Sequence, residues 1–144
     1  MSTAEVEILL IEDNYEDAEL TIRALKKQHL ANKLTHLMDG AEALDFIFGI
    51  GNYSERNILQ VPRVIFLDLK MPKINGLEVL QKIKSDPRTR AIPVVILTSS
   101  AEDPDIRRSY DLGANSYIVK PVDFENFAKT VSELGLYWMV VNRI

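Results

Sequence analysis

An apolar run that leads directly into an acidic residue is the feature of this sequence that most constrains its fold. Residues 64–67 are Val, Ile, Phe and Leu, Asp68 follows them, and Pro62 and Pro72 stand on either side. A continuous apolar run of this length is typical of a strand buried on both faces of a parallel sheet. Asp68 is therefore predicted at the carboxyl end of a strand, the edge where open α/β sheets bind their ligands. Taken alone, an acid in this position more often caps a turn.

Strand-like and helical segments alternate along the rest of the chain. Further strands are predicted at residues 6–11, 33–38, 92–97 and 116–119. Helices are predicted to begin near Asn14, Asp39, Asn75, Glu102 and Asp123. This alternation predicts an α/β fold with a flavodoxin-like, doubly wound sheet of five parallel strands in the order 2-1-3-4-5.

Local signals mark several helix ends. Asn14, Asp39 and Asn75 are expected N-caps, and the last two have a glutamate three residues later, which is typical of a capping box. Gly113 is expected to end the fourth helix. Residues 49–57 have turn composition and no period, so a loop is predicted up to Pro62. A loop of this length in a compact domain indicates a surface with a function.

Two helices carry an apolar stripe at helical spacing. In the first helix the stripe is Ala18, Ile22, Leu25 and His29, and we expect no functional role for His29. In the last helix the stripe is Phe127, Val131, Leu134, Trp138 and Val141. It leaves Leu136, Tyr137, Met139 and Val140 on other faces. That apolar tail predicts either self-association or a helix that folds back on its own domain.

Composition excludes several classes of protein. The 144 residues are 47% hydrophobic, which suits one domain with a real core, predicted over residues 1–144 without an output domain. The absence of cysteine excludes disulfides, thiolate metal sites and a cysteine nucleophile. The net charge of −4 disfavours general nucleic-acid binding. Since no secretory signal is visible and no apolar run approaches the ~20 residues of a membrane span, we expect a soluble cytoplasmic protein without membrane association.

Polar residues recur where the predicted strands end. Glu12 and Asp13 follow the first strand, Asp68 the third, Thr98 the fourth and Lys120 the fifth. Because the carboxyl ends of parallel strands share one edge, these side chains can converge there. Three crowded carboxylates repel one another, and a hard divalent cation such as Mg²⁺ relieves that repulsion. A hydroxyl and an ammonium can hold phosphate oxygens, and a carboxylate can accept a phosphoryl group. The alternative, five independent turn and cap residues, is disfavoured by this repetition.

Four segments together resemble the receiver domain of a two-component response regulator. They are residues 10–14, 66–76, 94–98 and 113–121, which span nearly the whole chain. The resemblance implies a phosphoacceptor in a two-component phosphorelay that switches protein–protein binding, and not a turnover enzyme. Its output would be a partner protein or onward transfer of the phosphoryl group to another histidine.

The resemblance also implies a role for each strand-end residue. Asp68 would be the phospho-acceptor, and Lys120 would pair with the acyl phosphate. Asp13, Asp68 and the main-chain carbonyl of Lys70 would hold Mg²⁺ or Mn²⁺, which Glu12 would reach through water. The Lys70 side chain would either shield the phosphoryl group or pair with a carboxylate when metal is absent.

Two further residues match the switch of such domains. Thr98 would bind phosphate and turn inward on activation, and Tyr117 would swing inward with it. Residues 46–63, 83–87 and 109–115 are similar to stand-alone regulators that partner bacterial phytochromes and related sensor histidine kinases. The implied partners are such a kinase and a second copy of the chain in a homodimer.

Other phosphate-handling families fit less well. A phosphatase of the haloacid dehalogenase type needs a second aspartate where Lys70 stands. A flavodoxin needs a phosphate-binding loop after the first strand, and this sequence has none there. Glu12 and Asp13 at that position would repel a flavin phosphate. No G-x-x-x-x-G-K-[ST] motif is present, which excludes a P-loop nucleotide hydrolase. A receiver-like binding module without phosphorylation is disfavoured by the intact set of five residues.

Overall fold

Strands and helices alternate throughout the chain, as the sequence predicts. The computed structural model describes residues 8–27, 33–71, 73–99 and 104–134. The strands are β1 (Ile8–Ile11), β2 (Leu34–Leu37), β3 (Val64–Asp68), β4 (Val94–Thr98) and β5 (Ser116–Val119). The helices are α1 (Tyr15–Lys27), α2 (Gly40–Phe48), α3 (Gly76–Ser85), α4 (Pro104–Asp111) and α5 (Phe124–Leu134). A short 3-10 helix, Gly51–Tyr53, lies in the loop after α2.

The five strands form one parallel sheet. Its order is β2-β1-β3-β4-β5, and every neighbouring pair runs parallel. This confirms the predicted flavodoxin-like topology. β1 and β3 are adjacent at the point where the strand order reverses. From β1 the chain moves to β2 on one side, and from β3 it moves to β4 and β5 on the other. The carboxyl ends of these two strands form the crevice of an open α/β sheet.

Both faces of the sheet are covered. Leu9 and Ile11 pack into one hydrophobic cluster with α2 and α3, while Ile8 and Leu10 pack into a second with α1 and α5. All five residues of β3 are buried. The uninterrupted apolar run at residues 64–67 therefore reflects a strand with helices on both sides, as predicted.

The predicted N-caps of α1, α2 and α3 are present. The side chain of Asn14 accepts from the Asp17 N–H at 2.9 Å, Asp39 from Glu42 at 2.7 Å, and Asn75 from Glu78 at 3.0 Å. In a capping box the Glu42 carboxylate would accept from the Asp39 N–H. Here it accepts from the Met38 N–H at 3.3 Å and from the Tyr53 hydroxyl at 2.9 Å. The carboxylate therefore also links α2 to the loop that follows it.

The loop after α2 has structure that its composition did not predict. The Arg56 guanidinium lies 4.2 Å from the centre of the Phe46 ring and donates to the carbonyls of Phe46 and Gln60. Tyr53 packs edge-on against the same ring at 5.1 Å. The Arg56 side chain thus links the last turn of α2 to the far end of the loop.

The helix stripes agree with prediction in part. Phe127 and Val131 of α5 are buried, and Gly113 has the positive φ of 107° expected after α4. In α1, Ile22 is only partly buried, whereas Thr21 is fully buried. The Thr21 hydroxyl donates to the Asp17 carbonyl at 3.0 Å, which offsets the cost of burying it. Within the described ranges, no helix has the length and apolar character needed to cross a bilayer.

Several predictions concern residues outside the described ranges. These are the first two residues of the predicted first strand, His29, Pro72, the start of the fourth helix at Glu102, and the tail residues Leu136, Tyr137, Trp138, Met139, Val140 and Val141.

Candidate functional site

The structure brings the strand-end side chains to one edge of the sheet. Glu12 and Asp13 follow β1, Asp68 is the last residue of β3, Thr98 is the last of β4, and Lys120 follows β5. The peptide bond between Lys120 and Pro121 is cis. The Lys120 N–H donates to the Thr98 carbonyl at 2.6 Å, which ties the ends of β4 and β5 together.

Three carboxylates form an acidic cluster at this edge. One oxygen each from Glu12, Asp13 and Asp68 lies within 4.8 Å of the others. Glu12 is fully buried, Asp68 is buried, and Asp13 is partly buried. Carboxylate oxygens at this spacing suit a hard divalent cation. The Lys70 N–H donates to Asp68 Oδ1 at 3.3 Å, while the Lys70 side chain is exposed.

A single lysine joins this cluster to helix α1. Lys120 Nζ lies 2.9 Å from Asp17 Oδ2, 3.2 Å from Glu12 Oε1 and 3.5 Å from Asp68 Oδ1. An ammonium has three N–H donors, so three carboxylates account for all of them. Lys120 is therefore a shared cation for the site.

Crowding changes the protonation of the central acid. The pKa of Asp68 is raised from 3.8 to about 8, mainly by burial and also by the hydrogen bond and negative charge of Glu12, while the charge of Lys120 opposes the shift. Burial lowers the pKa of Lys120, but the hydrogen bond to Asp17 and the charges of Asp68 and Glu12 outweigh it, so this pKa is raised. Without a cation, the carboxylate cluster thus retains a proton near neutral pH, while the lysine stays charged.

The cluster opens into a cavity of about 190 Å³. Its lining includes Asp13, Asp17, Asp68, Thr98 and Lys120. Asp68, Thr98 and Lys120 thus border one space. A tetrahedral anion bonded to Asp68 would have a hydroxyl and an ammonium among the groups around it.

Tyr117 lies away from this cavity. Its ring is partly buried and packs edge-on against Tyr110, with 6.0 Å between ring centres. Together with Lys129 and Glu133 these two rings line a separate cavity of about 320 Å³ between β5 and α5. Tyr117 is thus paired with Ile96, two residues before Thr98 in β4, and is not among the residues that line the cavity of the acidic cluster.

Three supporting residues escaped sequence reasoning. Asp17 lies in the first turn of α1, four residues after Asp13, and this spacing is the signal that could have revealed it. Gly76 lies so close to Asp68 that a Cβ there would overlap the Asp68 carbonyl oxygen and approach Leu69 Cα within 2.6 Å. His36 Nε2 donates to the Glu12 carbonyl at 2.8 Å and has no local signal in the sequence.

Comparison with known proteins identifies one family over nearly the whole chain. The family model described as "Response regulator receiver domain" matches residues 8–132. FilR2 of Methanothrix harundinacea, a probable methanogenesis regulatory protein, is 43% identical over 94% of this chain and 85% of its own length. The response regulator Rcp1 of Synechocystis sp. is 36% identical over 92% of this chain and 88% of its own length.

Solved structures agree. The bacteriophytochrome response regulator AtBRR superposes with a TM-score of 0.83 at 49% identity, covering 96% of this chain and 99% of that one. The Mn²⁺-bound form of Rcp1 gives a TM-score of 0.74 and covers 92% of this chain and 93% of that one. This chain therefore belongs to the response regulator receiver domain family and serves as a phosphoacceptor in two-component signalling.

Proposed function

We propose that Asp68 is the residue that accepts the phosphoryl group. The observation that carries this proposal is the position of its carboxylate, which is buried at the end of β3, within the cluster of Glu12 and Asp13, and in contact with Lys120. The carboxylate faces a cavity large enough for a phosphoryl group. Residues 1–144 would act as one receiver domain that is phosphorylated and dephosphorylated without turning over a separate substrate.

The phosphoryl transfer from a phosphohistidine to Asp68 would be a single displacement at phosphorus. An Asp68 carboxylate oxygen forms a bond to phosphorus as the bond between phosphorus and the donor nitrogen of a phosphohistidine breaks. The imidazole leaves with the electron pair and takes up a proton, and the product is an acyl phosphate. Lys120 neutralises charge on the phosphoryl oxygens, and the Thr98 hydroxyl donates to one of them.

The acidic cluster fits a divalent cation. Asp13, Asp68 and the main-chain carbonyl of Lys70 would hold Mg²⁺ or Mn²⁺ directly, and Glu12 would reach it through water. Support comes from the three carboxylate oxygens within 4.8 Å and from the Mn²⁺-bound form of the relative Rcp1. The cation would neutralise the negative charge that builds up on the phosphoryl group during transfer.

The proposed partner is a cytoplasmic sensor histidine kinase, of the phytochrome type or related to it. This rests on the similarity to bacteriophytochrome response regulators. Phosphorylation would move Thr98 and Tyr117 inward and change self-association through the face formed by α4, β5 and α5. The cavity beside Tyr117, lined by side chains of β5 and α5, is the feature of that face which supports its rearrangement.

Phosphorylation by a small donor tests the assignment. With Mg²⁺ and phosphoramidate, the wild type should gain one phosphoryl group by intact mass, and Asp68→Asn should gain none. The matched control is Asp86→Asn, which removes an acid paired with Arg88 at the other end of the sheet. Phosphorylation of Asp68→Asn at the wild-type rate, or a wild type that gains nothing, contradicts the proposal.

A further inference from the structure

The shortest contact of Lys120 is to an acid that lies outside the metal-binding cluster. Asp17 Oδ2 is 2.9 Å from the ammonium, closer than Glu12 at 3.2 Å or Asp68 at 3.5 Å. All three N–H donors of the lysine are therefore engaged before any phosphoryl group arrives. A phosphoryl oxygen can bind Lys120 only if one of these carboxylates releases it.

Asp17 is held in place by its helix. Its N–H donates to the capping side chain of Asn14, and its carbonyl accepts from the buried hydroxyl of Thr21. Its carboxylate lines the cavity above Asp68. The first turn of α1 thus presents a negative charge to the space where the phosphoryl group would form.

Of the three carboxylates, Asp17 can release the lysine with least cost. The Glu12 side chain is fully buried and that of Asp68 is 5% exposed, whereas that of Asp17 is 30% exposed, so water can take the place of the ammonium there. Glu12 and Asp68 also belong to the carboxylate cluster, whose charge a bound cation would neutralise. Asp17 does not belong to it and keeps its full charge.

We infer, building on the proposed function, that Asp17 is a positioning residue that competes with the phosphoryl group for Lys120. In the unphosphorylated protein, Asp17 holds the ammonium on the α1 side of the cavity. When the phosphoryl group forms on Asp68, Lys120 exchanges the Asp17 carboxylate for a phosphoryl oxygen. Asp17 therefore sets how tightly the site holds the phosphoryl group without touching it.

The test uses fluoroberyllate, a phosphoryl mimic, with saturating Mg²⁺ on the full chain. Asp17→Asn should bind the mimic roughly fivefold more tightly, the scale of one partly solvated ion pair. Asp17→Glu, which restores the charge, should return the affinity toward that of the wild type. The neighbouring exposed acid Glu16 supplies the matched control, because Glu16→Gln should change nothing. Unchanged or weaker binding by Asp17→Asn overturns the inference.

A double-mutant cycle separates competition for Lys120 from simple repulsion of an anion. In a Lys120→Gln background, Asp17→Asn should no longer alter the affinity for fluoroberyllate, because its effect acts through the lysine. If Asp17→Asn still binds fluoroberyllate more tightly in this background, the effect comes from through-space repulsion of the anion, and the inference is overturned. A wild type that binds no fluoroberyllate contradicts the proposed function itself, an outcome distinct from equal binding by wild type and Asp17→Asn.

Discussion

At the scale of single residues, the site is organised by charge. Three carboxylates at the ends of β1 and β3 lie around the ammonium of Lys120, which also contacts Asp17. The arrangement leaves more negative than positive charge in a largely buried place. A proton or a cation is needed to offset the excess negative charge. The raised pKa of Asp68 shows that, without a cation, a proton is retained there.

The metal-free protein should lose stability as pH rises from about 4 to about 8. Over this window the folded state holds a proton at Asp68 that the unfolded chain, with a pKa near 3.8, has released. The free energy of unfolding then falls with pH, by at most about 1.4 kcal/mol per pH unit for one proton. Denaturant unfolding in EDTA at several pH values measures the slope.

Asp68→Asn is the control for this pH dependence, since it removes the titrating group but keeps the shape. Its slope should be shallower than that of the wild type over the same window, and added Mg²⁺ should flatten the wild-type slope. Identical slopes for wild type and Asp68→Asn in EDTA would show that the proton is held elsewhere.

At the scale of elements, the start of α3 packs closely against the end of β3, where Asp68 lies. Gly76 donates its N–H to the Leu69 carbonyl at 2.8 Å and is in close contact with the backbone at the end of β3. The neighbours of a Cβ at this position are main-chain atoms of Asp68 and Leu69, which cannot rotate away. Glycine is required here for space and not for a positive φ.

Gly76→Ala should therefore push α3 away from β3 and displace Asp68. We expect a loss of roughly 1–3 kcal/mol in the free energy of unfolding, the range for overpacking a tight contact. Gln81→Ala, on the exposed face of the same helix, provides the comparison and should change stability little. Denaturant unfolding reports stability, and the rate of phosphorylation by phosphoramidate reports the site. Wild-type behaviour of Gly76→Ala in both measurements would contradict the close packing.

Sequence patterns predicted most of this architecture because they depend on neighbours in the chain. The buried strands follow from continuous apolar runs, and the caps of Asn14, Asp39 and Asn75 depend on residues three positions away. The contact between Asp17 and Lys120 spans 103 positions, so only the assembled sheet reveals it. The stacking of Arg56 on Phe46 was not predicted either, because Arg56 lies in an irregular loop where no periodic pattern indicates its partner.

At the scale of the whole molecule, the site and the β5–α5 region are joined through neighbouring strands. Thr98 ends β4 beside Val119 of β5, and Lys120 binds the Thr98 carbonyl. A phosphoryl group can change the shape of the molecule only by favouring one of two states. We propose that Thr98, at the end of β4, is the side chain that senses it.

Thr98→Ala should still be phosphorylated on Asp68 but should fail to transmit the change. The acceptor and the carboxylate cluster remain, while the hydroxyl that would draw β4 toward the phosphoryl group is lost. Sedimentation velocity with and without fluoroberyllate measures the change in self-association, which we expect to fall severalfold or disappear. Ser99→Ala, which alters another residue of the same cavity, should respond as the wild type does. A full response by Thr98→Ala would exclude Thr98 as the sensor.

The distance in sequence between Glu12 and Lys120 has a consequence for synthesis. These two residues, in contact in the site, are 108 positions apart. During translation, Lys120 leaves the ribosome only after β5, long after the carboxylates that follow or end β1 and β3. Because a domain of this size folds cooperatively, the full set of charged groups can be assembled only when nearly all of the domain has emerged. We therefore expect an incomplete chain to be a poor acceptor of phosphoryl groups.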